Sequence, residues 1–427
     1  MKRVSTVEMQ IAERARKYPE QALTNLHKFI DEPMLHECFK ALNKKGASGV
    51  DRETWAMYDK QKEVRIPELL TGFKSGKYRA PNIRRVYIPK GDGQLRPLGI
   101  PTVEDKLLQT AVTKVLTPVY EAIFHDSSYG FRPGKSQHQA LDKLFQEVSF
   151  KGKRYIIDAD IKDYFGSINH QQLREFLDLR INDGVVRRVL HKWLKAGVLE
   201  AGNIEYPTEG TPQGGSTSPL LSNLYLHYVL DEWFIKQVQP LLKGESFIIR
   251  FADDFLLGFT NKEDADRVMK VLPKRFGKYG LALHPDKTKL IELGKRERDK
   301  PCTFDFLGFT HYMGTSRKGK SILKRKTCSK KFRAAVKSLD DWLRNNRHNR
   351  VGILTKLLNQ KLRGHYNYFG ITFNSRKINE FFIQAKRQLF FWLNRRGGKR
   401  VWNWVRFTKL INEWFPLIKP KIYHSYV

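Results

Sequence analysis

The chain has 427 residues, 41% hydrophobic and 12% aromatic, enough to bury the cores of two or three folded domains and too apolar for a disordered protein. Its 78 Lys and Arg outnumber 44 Asp and Glu, a net charge of +34, which favours a phosphate-backbone partner over a merely basic or ribosome-associated surface. Three scattered cysteines are too few for a disulfide framework. The N-terminus is charged and the sequence has no long apolar run, so we expect neither a signal peptide nor a membrane span.

The first 75 residues are predicted to be mostly helical, because apolar residues recur at helical spacing up to a glycine-rich turn at 46–51. From 84 to 101 the pattern changes to two short β-type runs around Gly91-Asp92-Gly93, which predicts a hairpin. A helix is predicted over 104–122, followed by a loop at 129–136 and a second helix that ends at Glu147.

Two groups of carboxylates follow at the ends of β-type runs. Asp160 ends the run 154–161, and Asp253-Asp254 lie between two apolar runs within 247–259, which predicts the tip of a hairpin. An Asp-Asp pair alone is often only a turn signature, but apolar flanks favour a functional role because buried strands are a costly place for paired acids. If one sheet brings these carboxylates together, they repel one another unless a cation lies between them, and oxygen ligands of this kind select Mg²⁺. Two such ions can activate a hydroxyl and stabilise a leaving pyrophosphate.

The remaining chain contains helices within 171–196, a turn-rich stretch at 209–220 and, after residue 309, a basic segment of helical character. From His311 to Val427 there are 28 Lys and Arg against four acids, a net charge of +24. Basic and aromatic residues alternate in this segment, a pattern suited to stacking on unpaired RNA bases while neutralising phosphates. The alternative is a helical bundle with a tryptophan-containing core and a solvated basic face, but such a surface would normally mix signs of charge.

The carboxylate segments resemble those of a known enzyme family. FADD at 251–254 resembles the Y/F-x-D-D box of reverse transcriptases, and DIKDYF at 160–165 resembles their D-x-x-x-x-F/Y box. The full ordered set is most similar to the group II intron reverse transcriptase/maturases. The other segments that carry this resemblance are NKKGASGVD, RRVYIPKGDGQLRPLGIPTVEDKLLQ, SYGFRPGKSQHQA, EGTPQGGSTSPLLSN, HPDKTK and FLGF.

The resemblance implies an α+β, right-hand polymerase fold. Its N-terminal extension and fingers would span 1–152, its palm with an antiparallel sheet 153–313, and a helical thumb with the maturase (X) RNA-binding domain 314–427. The implied reaction is RNA-directed addition of dNTPs to a primer 3′-hydroxyl with two Mg²⁺ ions, for which Mn²⁺ can substitute, together with assistance to the splicing of a group II intron RNA. The implied partners are that RNA or another RNA template, a DNA primer or target, and dNTPs. We expect a monomer or weak dimer in the cytosol or nucleoid of a bacterium.

Residue roles carry over from the matched boxes. Asp160 and Asp253 resemble the direct metal ligands, Asp254 the third carboxylate, and Ile161 a residue whose backbone carbonyl reaches the nucleotide-bearing metal. Phe165 resembles the aromatic ring under the incoming sugar that leaves no room for a 2′-hydroxyl. On hydrophobicity alone Phe165 is equally an ordinary core residue, and the spacing from Asp160 favours the functional role.

The resemblance also assigns nucleotide, primer and RNA contacts. Lys90 and Arg96 bracket the predicted hairpin turn and resemble the residues that bind the triphosphate, although cations near a turn usually face solvent. The other implied nucleotide contacts are Arg84, Gln213 in the template loop, and Lys287, a possible proton donor to pyrophosphate. The implied primer grip is Phe306, Leu307, Gly308 and Phe309. The implied RNA contacts are Arg363, His365, Tyr366, Arg395, Arg396, Lys399 and Arg400.

Three features depart from the family pattern. Phe251 replaces a commoner tyrosine, Gly166 stands where many relatives carry aspartate, and we expect no Cys/His-bearing nuclease extension and hence no second-strand nicking. Two alternative functions remain open at this point. One is an RNA-binding splicing cofactor with an idle polymerase site, and the other is a free-standing, domesticated relative that serves DNA repair or phage defence.

Overall fold

The computed structural model describes residues 2–89, 95–200, 203–206, 209–210, 214–297, 300–397 and 401–426. It separates into two compact units, each formed by two stretches of chain. The first unit comprises Met1–Ala140 and Ile157–Leu290, and the second comprises Leu141–Ile156 and Ile291–Val427. These units do not follow the three predicted segments, whose bounds at 152 and 313 remain predictions.

Helices account for most of both units. In chain order they are α1 Lys2–Lys17, α2 Glu32–Ala41, α3 Trp55–Asp59, α4 Lys62–Ser75, α5 Val103–Glu121, α6 Gln137–Ser149, α7 His170–Asp178, α8 Gly184–Leu194, α9 Ser218–Leu226, α10 Lys262–Gly277, α11 Ser329–Asn346, α12 Val351–Phe369, α13 Ser375–Leu393 and α14 Trp404–Lys409. Short 3₁₀ turns cover Leu26–Phe29, Tyr164–Gly166 and Gln239–Leu241, and π-helical turns cover His227–Asp231, Trp233–Val238 and Leu410–Trp414.

The strands are short and form several small sheets. In chain order they are β1 Ile83–Pro89, β2 Leu95–Ile100, β3 Tyr155–Ala159, β4 Ile161–Lys162, β5 Val198–Glu200, β6 Asn203–Glu205, β7 Ser246–Phe251, β8 Asp254–Phe259, β9 Ala282–Leu283, β10 Lys289–Glu292, β11 Arg296–Glu297, β12 Lys300–Pro301, β13 Thr303–Phe306, β14 Phe309–Thr315 and β15 Ser321–Thr327. Their order is β2-β1-β5-β6 in one sheet, β10-β3-β8-β7 in the central sheet and β13-β14-β15 in a third, with β4-β9 and β11-β12 as separate pairs.

Local sequence explains where the main helices of the first unit begin and end. Polar side chains satisfy the free backbone amides at three N-termini, with Asp31 accepting from Met34, Thr102 from Asp105 and Asn261 from Glu263. The helices predicted from hydrophobic spacing are confirmed, and the one predicted over 104–122 is α5. This helix is buried along most of its length and supplies the centre of the core.

The predicted hairpin at 84–101 is also confirmed. Strands β1 and β2 pair antiparallel, from Arg84 opposite Ile100 to Pro89 opposite Leu95. The predicted turn residues Gly91-Asp92-Gly93 lie outside the described residues. The strands therefore establish the hairpin, and they fix the position of Arg96 opposite Ile88.

The basic C-terminal segment begins with β-structure, which corrects the prediction of a helical segment after residue 309. Strands β13, β14 and β15 form an antiparallel sheet in which Phe309 lies opposite Thr327 and Thr315 opposite Ser321. β14 therefore runs through the predicted domain boundary at 313. The helical prediction holds from Ser329 onward, where α11, α12 and α13 surround a leucine-rich core.

The part of α6 from residue 141 onward belongs to the second unit, although the longer stretch of that unit begins only at Ile291. The Ser149 hydroxyl accepts a hydrogen bond from the Leu323 amide of β15 at 3.0 Å, and the Arg325 guanidinium donates to the Leu141 carbonyl at 3.2 Å. Arg325 is fully buried, so these contacts lie inside the second unit. Within the described residues, no helix combines the length and apolar character needed to cross a membrane.

One buried acid in α5 predicts a pH-dependent stability. Asp105 is 1% exposed, receives a hydrogen bond from Trp193 Nε1 at 3.0 Å and another from the Tyr78 hydroxyl. Burial raises the pKa of Asp105 from 3.8 to about 7. The folded state therefore binds more protons than the unfolded state between these values, so the contribution of Asp105 to stability is full below pH 3.8 and is lost as the pH rises through 7.

We therefore expect Asp105→Asn to be close to wild type in thermal stability at pH 4 and more stable at pH 8. At pH 8 the free energy of unfolding should rise by at most about 4 kcal/mol, since each unit of pKa difference corresponds to about 1.4 kcal/mol. Thermal melts of both proteins across this pH range measure it. Asp126→Asn is the control because the Asp126 side chain is 98% exposed. A stability difference that stays constant with pH would contradict the prediction.

Candidate active site

The paired acids lie on a tight hairpin of the first unit. β7 and β8 pair antiparallel, and the last pair, Phe251 with Asp254, leaves Ala252 and Asp253 as the two turn residues. Ala252 has a φ of 59°, in the left-handed region that residues other than glycine seldom adopt. The predicted hairpin tip is confirmed, and we call residues 251–254 the catalytic turn.

Asp160 lies in the connection between β3 and β4, and β3 is the neighbour of β8 in the central sheet. The amide of His284 donates to the Asp160 carbonyl at 2.7 Å, and Ile161 lies opposite Leu283 in the β4-β9 pair. The Ile161 side chain is buried, which leaves the predicted metal contact to its main-chain carbonyl. The fold thus places Asp160 beside the strand that carries the catalytic turn.

The carboxylate of Asp253 is affected by that of Asp160. Burial raises the pKa of Asp253, and the neighbouring Asp160 carboxylate raises it further, whereas the guanidinium groups of Arg96 and Arg250 oppose the rise. Asp160 and Asp253 are about ninety positions apart in the sequence, yet they lie within electrostatic reach of each other. Arg96 of the β1-β2 hairpin lies within reach of Asp253 as well. This juxtaposition is what the sequence predicts for Asp160, Asp253 and Arg96.

Lys287 forms an ion pair with the Asp160 carboxylate. Lys287 Nζ lies 2.6 Å from Asp160 Oδ2, and the turn that carries it closes through hydrogen bonds from the Lys287 and Thr288 amides to the His284 carbonyl. The side chains are 60% and 39% exposed, so the ion pair faces solvent. Lys287 therefore lies at the predicted site and acts there as the counter-ion of Asp160.

The donor set fits a hard divalent cation. Asp160, Asp253 and Asp254 offer only carboxylate oxygens, the ligands that Mg²⁺ prefers, and the mutual repulsion of two of them is the condition that a cation relieves. Their oxygens do not all lie within 4.8 Å of one another. Because Lys287 neutralises Asp160, a metal ion that bound here would compete with this ammonium group for Asp160 Oδ2.

Phe165 lies in a 3₁₀ turn just after Asp160. The turn begins at Asp163, whose φ is 41°. The buried Tyr164 fixes the turn, because its hydroxyl donates to the Ser222 carbonyl at 2.5 Å. The Phe165 ring is half-buried, with its centroid 5.4 Å from that of Tyr164. A half-buried ring beside Asp160 is compatible with a platform for a bound sugar.

Gly210 lies close to this turn, and Gly214 lies close to β2. A Cβ on Gly210 would lie 2.9 Å from the Phe165 carbonyl, and one on Gly214 would lie 2.4 Å from the Gly99 carbonyl. Both glycines have positive φ values, 87° and 120°, so the loop needs glycine for its conformation and its close contacts. Gln213, the predicted template contact between them, lies outside the described residues.

The predicted triphosphate-binding cations differ in their surroundings. Arg96 is exposed, and Lys90 lies outside the described residues. Arg84 is engaged within the protein, because its Nε and Nη2 donate to the Ser48 carbonyl at 3.0 and 2.6 Å. The Arg84 guanidinium is thus anchored to the glycine-rich turn at 46–51, and its contact with the triphosphate stays a prediction.

The sequence comparisons agree with this geometry. Residues 88–311, more than half of the chain, match the family model "Reverse transcriptase (RNA-dependent DNA polymerase)". The chain belongs to the reverse transcriptase family. The group II intron-encoded protein LtrA of Lactococcus lactis subsp. cremoris is 37% identical over 251 residues, which cover 58% of this chain and 41% of that protein. Protein YkfC of Escherichia coli K12 is 33% identical over 288 residues, covering 60% of this chain and 75% of that protein.

A third relative, a 91 kDa protein in the cob intron of Schizosaccharomyces pombe, is 40% identical over 207 residues, which are 47% of this chain and 25% of that protein. Two of these three relatives, LtrA and the Schizosaccharomyces pombe protein, carry names that refer to an intron. The chain spans about two fifths of the length of LtrA.

The segment predicted as the primer grip of this reverse transcriptase is a β-turn of the second unit. Phe306 pairs with Phe309, and Leu307 and Gly308 form the turn with φ values of 49° and 81°. The turn is held from both sides, by the Tyr368 hydroxyl donating to the Leu307 carbonyl at 2.9 Å and the Cys328 amide donating to the Gly308 carbonyl at 3.0 Å. Phe306 and Phe309 are 1% and 0% exposed, which corrects the prediction that their side chains contact a primer. Leu307 and Gly308 remain partly exposed.

The predicted RNA contacts of the reverse transcriptase divide into exposed and buried residues. Arg363 and Arg395 are exposed, and Arg395 lies over the Phe391 ring at 4.3 Å. Arg396 is half-buried and donates to the Asn349 carbonyl at 2.8 Å. Lys399 and Arg400 lie outside the described residues.

Two of these predictions are corrected. Tyr366 is 0% exposed within the core of the second unit, so its ring cannot stack on a base. The His365 ring stacks on Phe381 with centroids 3.7 Å apart, and burial lowers the pKa of His365 to about 4. A neutral, stacked imidazole is a packing residue of α12 rather than a phosphate contact.

A second group of possible metal ligands lies in the first unit. His125, His227 and Glu232 have ligand atoms within 4.8 Å of one another. Each carboxylate oxygen of Glu232 already has a partner, His125 Nε2 at 2.7 Å and Lys236 Nζ at 2.6 Å. Burial, and then cations that include Arg250, lower the pKa of His227 to about 2. These positive surroundings oppose a metal ion, so we interpret the group as an ion-paired part of the core.

Sequence analysis missed the residues behind the catalytic turn of this reverse transcriptase. Arg250, one residue before the turn in β7, is 0% exposed and forms an ion pair with Asp231, which is also 0% exposed. An arginine inside the apolar run FIIRF was the signal that could have found it, because a buried guanidinium requires a buried partner. Nothing in the sequence indicates that this partner is Asp231.

Proposed function

We propose that the chain is an RNA-directed DNA polymerase that adds dNTPs to the 3′-hydroxyl of a primer. The observation that carries this proposal is the meeting of Asp160 and Asp253 at the ends of adjoining strands of the central sheet, where the Asp160 carboxylate raises the pKa of Asp253 and the Arg96 guanidinium opposes that rise. Membership of the reverse transcriptase family supports the same reaction.

In this proposal Asp160 and Asp253, with Asp254, would hold Mg²⁺, which would supply Lewis-acid activation of the primer hydroxyl and stabilisation of the leaving pyrophosphate. The chain's own cations bind the substrate. Arg96 and Lys90 neutralise the triphosphate. Lys287, displaced from Asp160, lies within reach of the same phosphates as a counter-charge. Gly214 and Gly215 permit a close approach of the template to their backbone.

The direct test is incorporation of dTTP by the intact chain on poly(rA) primed with oligo(dT), in the presence of Mg²⁺. We expect steady incorporation on this RNA template. Poly(dA) with the same primer measures how strongly RNA is preferred as a template. Absence of incorporation on poly(rA), with a folded protein that binds the primer-template, would overturn the proposal.

A smaller side chain at Phe165 should relax the choice of sugar. We expect Phe165→Val to raise the efficiency of rUTP relative to dTTP incorporation by about tenfold or more, because the ring that would contact a 2′-hydroxyl is removed. The ratio of kcat/KM values for the two nucleotides on poly(rA)/oligo(dT) measures this change. Phe150→Val is the control, since Phe150 is 70% exposed. An unchanged ratio in Phe165→Val would assign Phe165 to packing alone.

We infer a second role in binding a group II intron RNA and assisting its splicing. The support is the net charge of +24 over residues 311–427, the exposed Arg363 and Arg395, and the similarity to the group II intron-encoded protein LtrA and to a protein in the cob intron. The test compares affinity for a group II intron RNA with that for an unrelated structured RNA of equal length, and measures the splicing rate at low Mg²⁺. Equal affinity and no acceleration of splicing would leave the polymerase without this role. A coding frame located inside an intron RNA would identify the RNA to use.

A further inference from the structure

The catalytic turn rests on a buried polar network that the reaction itself does not use. Arg250 Nε lies 2.9 and 3.1 Å from the two carboxylate oxygens of Asp231, and its Nη2 lies 2.6 Å from Asp231 Oδ2. Its Nη1 donates to Asn223 Oδ1 at 2.8 Å and to the Ala252 carbonyl at 3.0 Å. Arg250 and Asp231 are 0% exposed and Asn223 is 1% exposed, so solvent does not compete for these contacts.

The Ala252 carbonyl is part of the peptide bond that leads into Asp253. Ala252 has a left-handed φ of 59°, which an alanine adopts only when surrounding contacts enforce it. The hydrogen bond from Arg250 Nη1 fixes the plane of this peptide, and with it the direction in which the Asp253 side chain leaves the backbone.

The same network is anchored on its far side to residues 127–130. Asn223 Nδ2 donates to the Gly130 carbonyl at 2.7 Å. The Arg250 amide donates to the Ser127 carbonyl at 2.9 Å, and its carbonyl accepts from the Tyr129 amide at 2.8 Å. Arg250 is therefore held through both its backbone and its side chain before it reaches the turn.

A buried ion pair is weak support for stability, because the cost of desolvating two charges offsets most of their attraction, and apolar replacements of equal volume are often as stable. Its geometric effect is different. A guanidinium has its donors in a rigid plane, so two of them on Asp231 determine where the third can point. Here that third donor points to the catalytic turn.

We propose that Arg250, oriented by Asp231 and Asn223, is a positioning residue that sets the Asp253 carboxylate in its metal-binding direction. This inference rests on the proposed polymerase function for its activity readout but has a second readout, metal binding, that does not require polymerisation. The residues act through the Ala252–Asp253 peptide and touch neither substrate nor metal.

The decisive variant replaces the pair by apolar side chains of similar size, Arg250→Met with Asp231→Leu. If the pair served only stability, this double variant would match wild type in melting temperature and in activity together. Positioning predicts a different result. The melting temperature should stay near that of wild type while kcat falls about a hundredfold, KM for dTTP changes less than threefold, and the Mg²⁺ concentration for half-maximal activity rises several-fold.

The single variant Arg250→Lys supports the test if the double variant does not fold. A lysine keeps the charge next to Asp231 but cannot contact Asp231, Asn223 and Ala252 at once, so the same fall in kcat is expected. The matched control is Arg325→Lys, a second fully buried arginine, whose Nη1 donates to the Leu141 carbonyl in the second unit. It should lower the melting temperature without changing the Mg²⁺ requirement.

Mn²⁺ titration followed by electron paramagnetic resonance separates this inference from the proposed function. Wild type should bind Mn²⁺ in a manner that Asp253→Asn weakens, and Arg250→Lys should weaken the same binding by about tenfold. Wild-type-like Mn²⁺ affinity and kcat in a folded Arg250→Lys or double variant would overturn the positioning role, whatever the polymerase assay shows. Failure of wild type to extend a primer would overturn the proposed function alone, provided that the Asp253-dependent Mn²⁺ binding is found. Its absence would overturn the positioning role as well.

Discussion

Asp253→Asn is expected to reduce primer extension by at least about a thousandfold, because the amide keeps the size of the side chain but removes the charge that holds a metal ion. Asp253 lies at the tip of a hairpin beside Asp160, and both burial and that neighbour raise its pKa, so its anionic form already depends on nearby cations. The measurement is the initial rate of dTTP incorporation on poly(rA)/oligo(dT) at saturating Mg²⁺.

The control for this experiment is Asp126→Asn, the same chemical change at a side chain that is 98% exposed and pairs with Lys135. Its rate should equal that of wild type within a factor of about two. Far-ultraviolet circular dichroism and a melting curve establish that the Asp253 variant is folded. A folded Asp253→Asn protein that retains more than a tenth of the wild-type rate would show that the reaction does not depend on this carboxylate.

Gly130→Ala is expected to lower kcat by about a hundredfold, since displacements of about 1 Å at reacting groups have effects of this size. A Cβ at Gly130 would lie 2.3 Å from the Ala252 nitrogen and 2.9 Å from the Phe251 carbonyl carbon. Both atoms belong to the backbone of the catalytic turn, which cannot rotate away as a flexible side chain could. The added methyl group must therefore push the turn, and Asp253 with it, from its position.

Gly277→Ala is the matched control, because Gly277 ends α10 and a Cβ there would have nothing within 4 Å. This control should keep full activity and gain about 0.5–1 kcal/mol of stability, the usual effect of replacing glycine by alanine in a helix. Steady-state kinetics on poly(rA)/oligo(dT) compare the two variants. Wild-type kcat in Gly130→Ala would show that the turn tolerates displacement.

Sequence patterns predicted the local elements that carry the site. Short β-type runs on either side of Gly91-Asp92-Gly93, and apolar runs on either side of Asp253-Asp254, identified two hairpins. Helical spacing identified α5. These signals depend only on nearby residues. The pairing of Asp160 with the catalytic turn was inferred from a resemblance, and the central sheet agrees with it. Local periodicity alone could not have brought the two together.

Other features depended on contacts that a sequence does not display. Nothing in 141–156 indicates that this stretch belongs with residues after 291, and nothing around Asp231 indicates that it receives Arg250. Strand β15 was missed because its charged residues Lys324, Arg325 and Lys326 obscured the alternation of buried and exposed positions. Tyr366 could have been assigned correctly, since Leu358, Leu362 and Tyr366 recur every four residues on one face of α12, and all three are buried.

The discontinuous second unit constrains the order in which the newly made chain can fold. Residues 141–149 of α6 leave the ribosome more than 170 residues before β15, which supplies the Leu323 amide that binds Ser149. At typical rates of synthesis, about 5–20 residues per second, this half of the helix waits on the order of ten seconds or longer for its partner. During that interval the first unit can begin to fold while residues 141–149 still lack the partners that they contact in the second unit. A chain that terminates prematurely before residue 321 would leave that stretch permanently exposed, and such fragments are expected to aggregate or to be degraded.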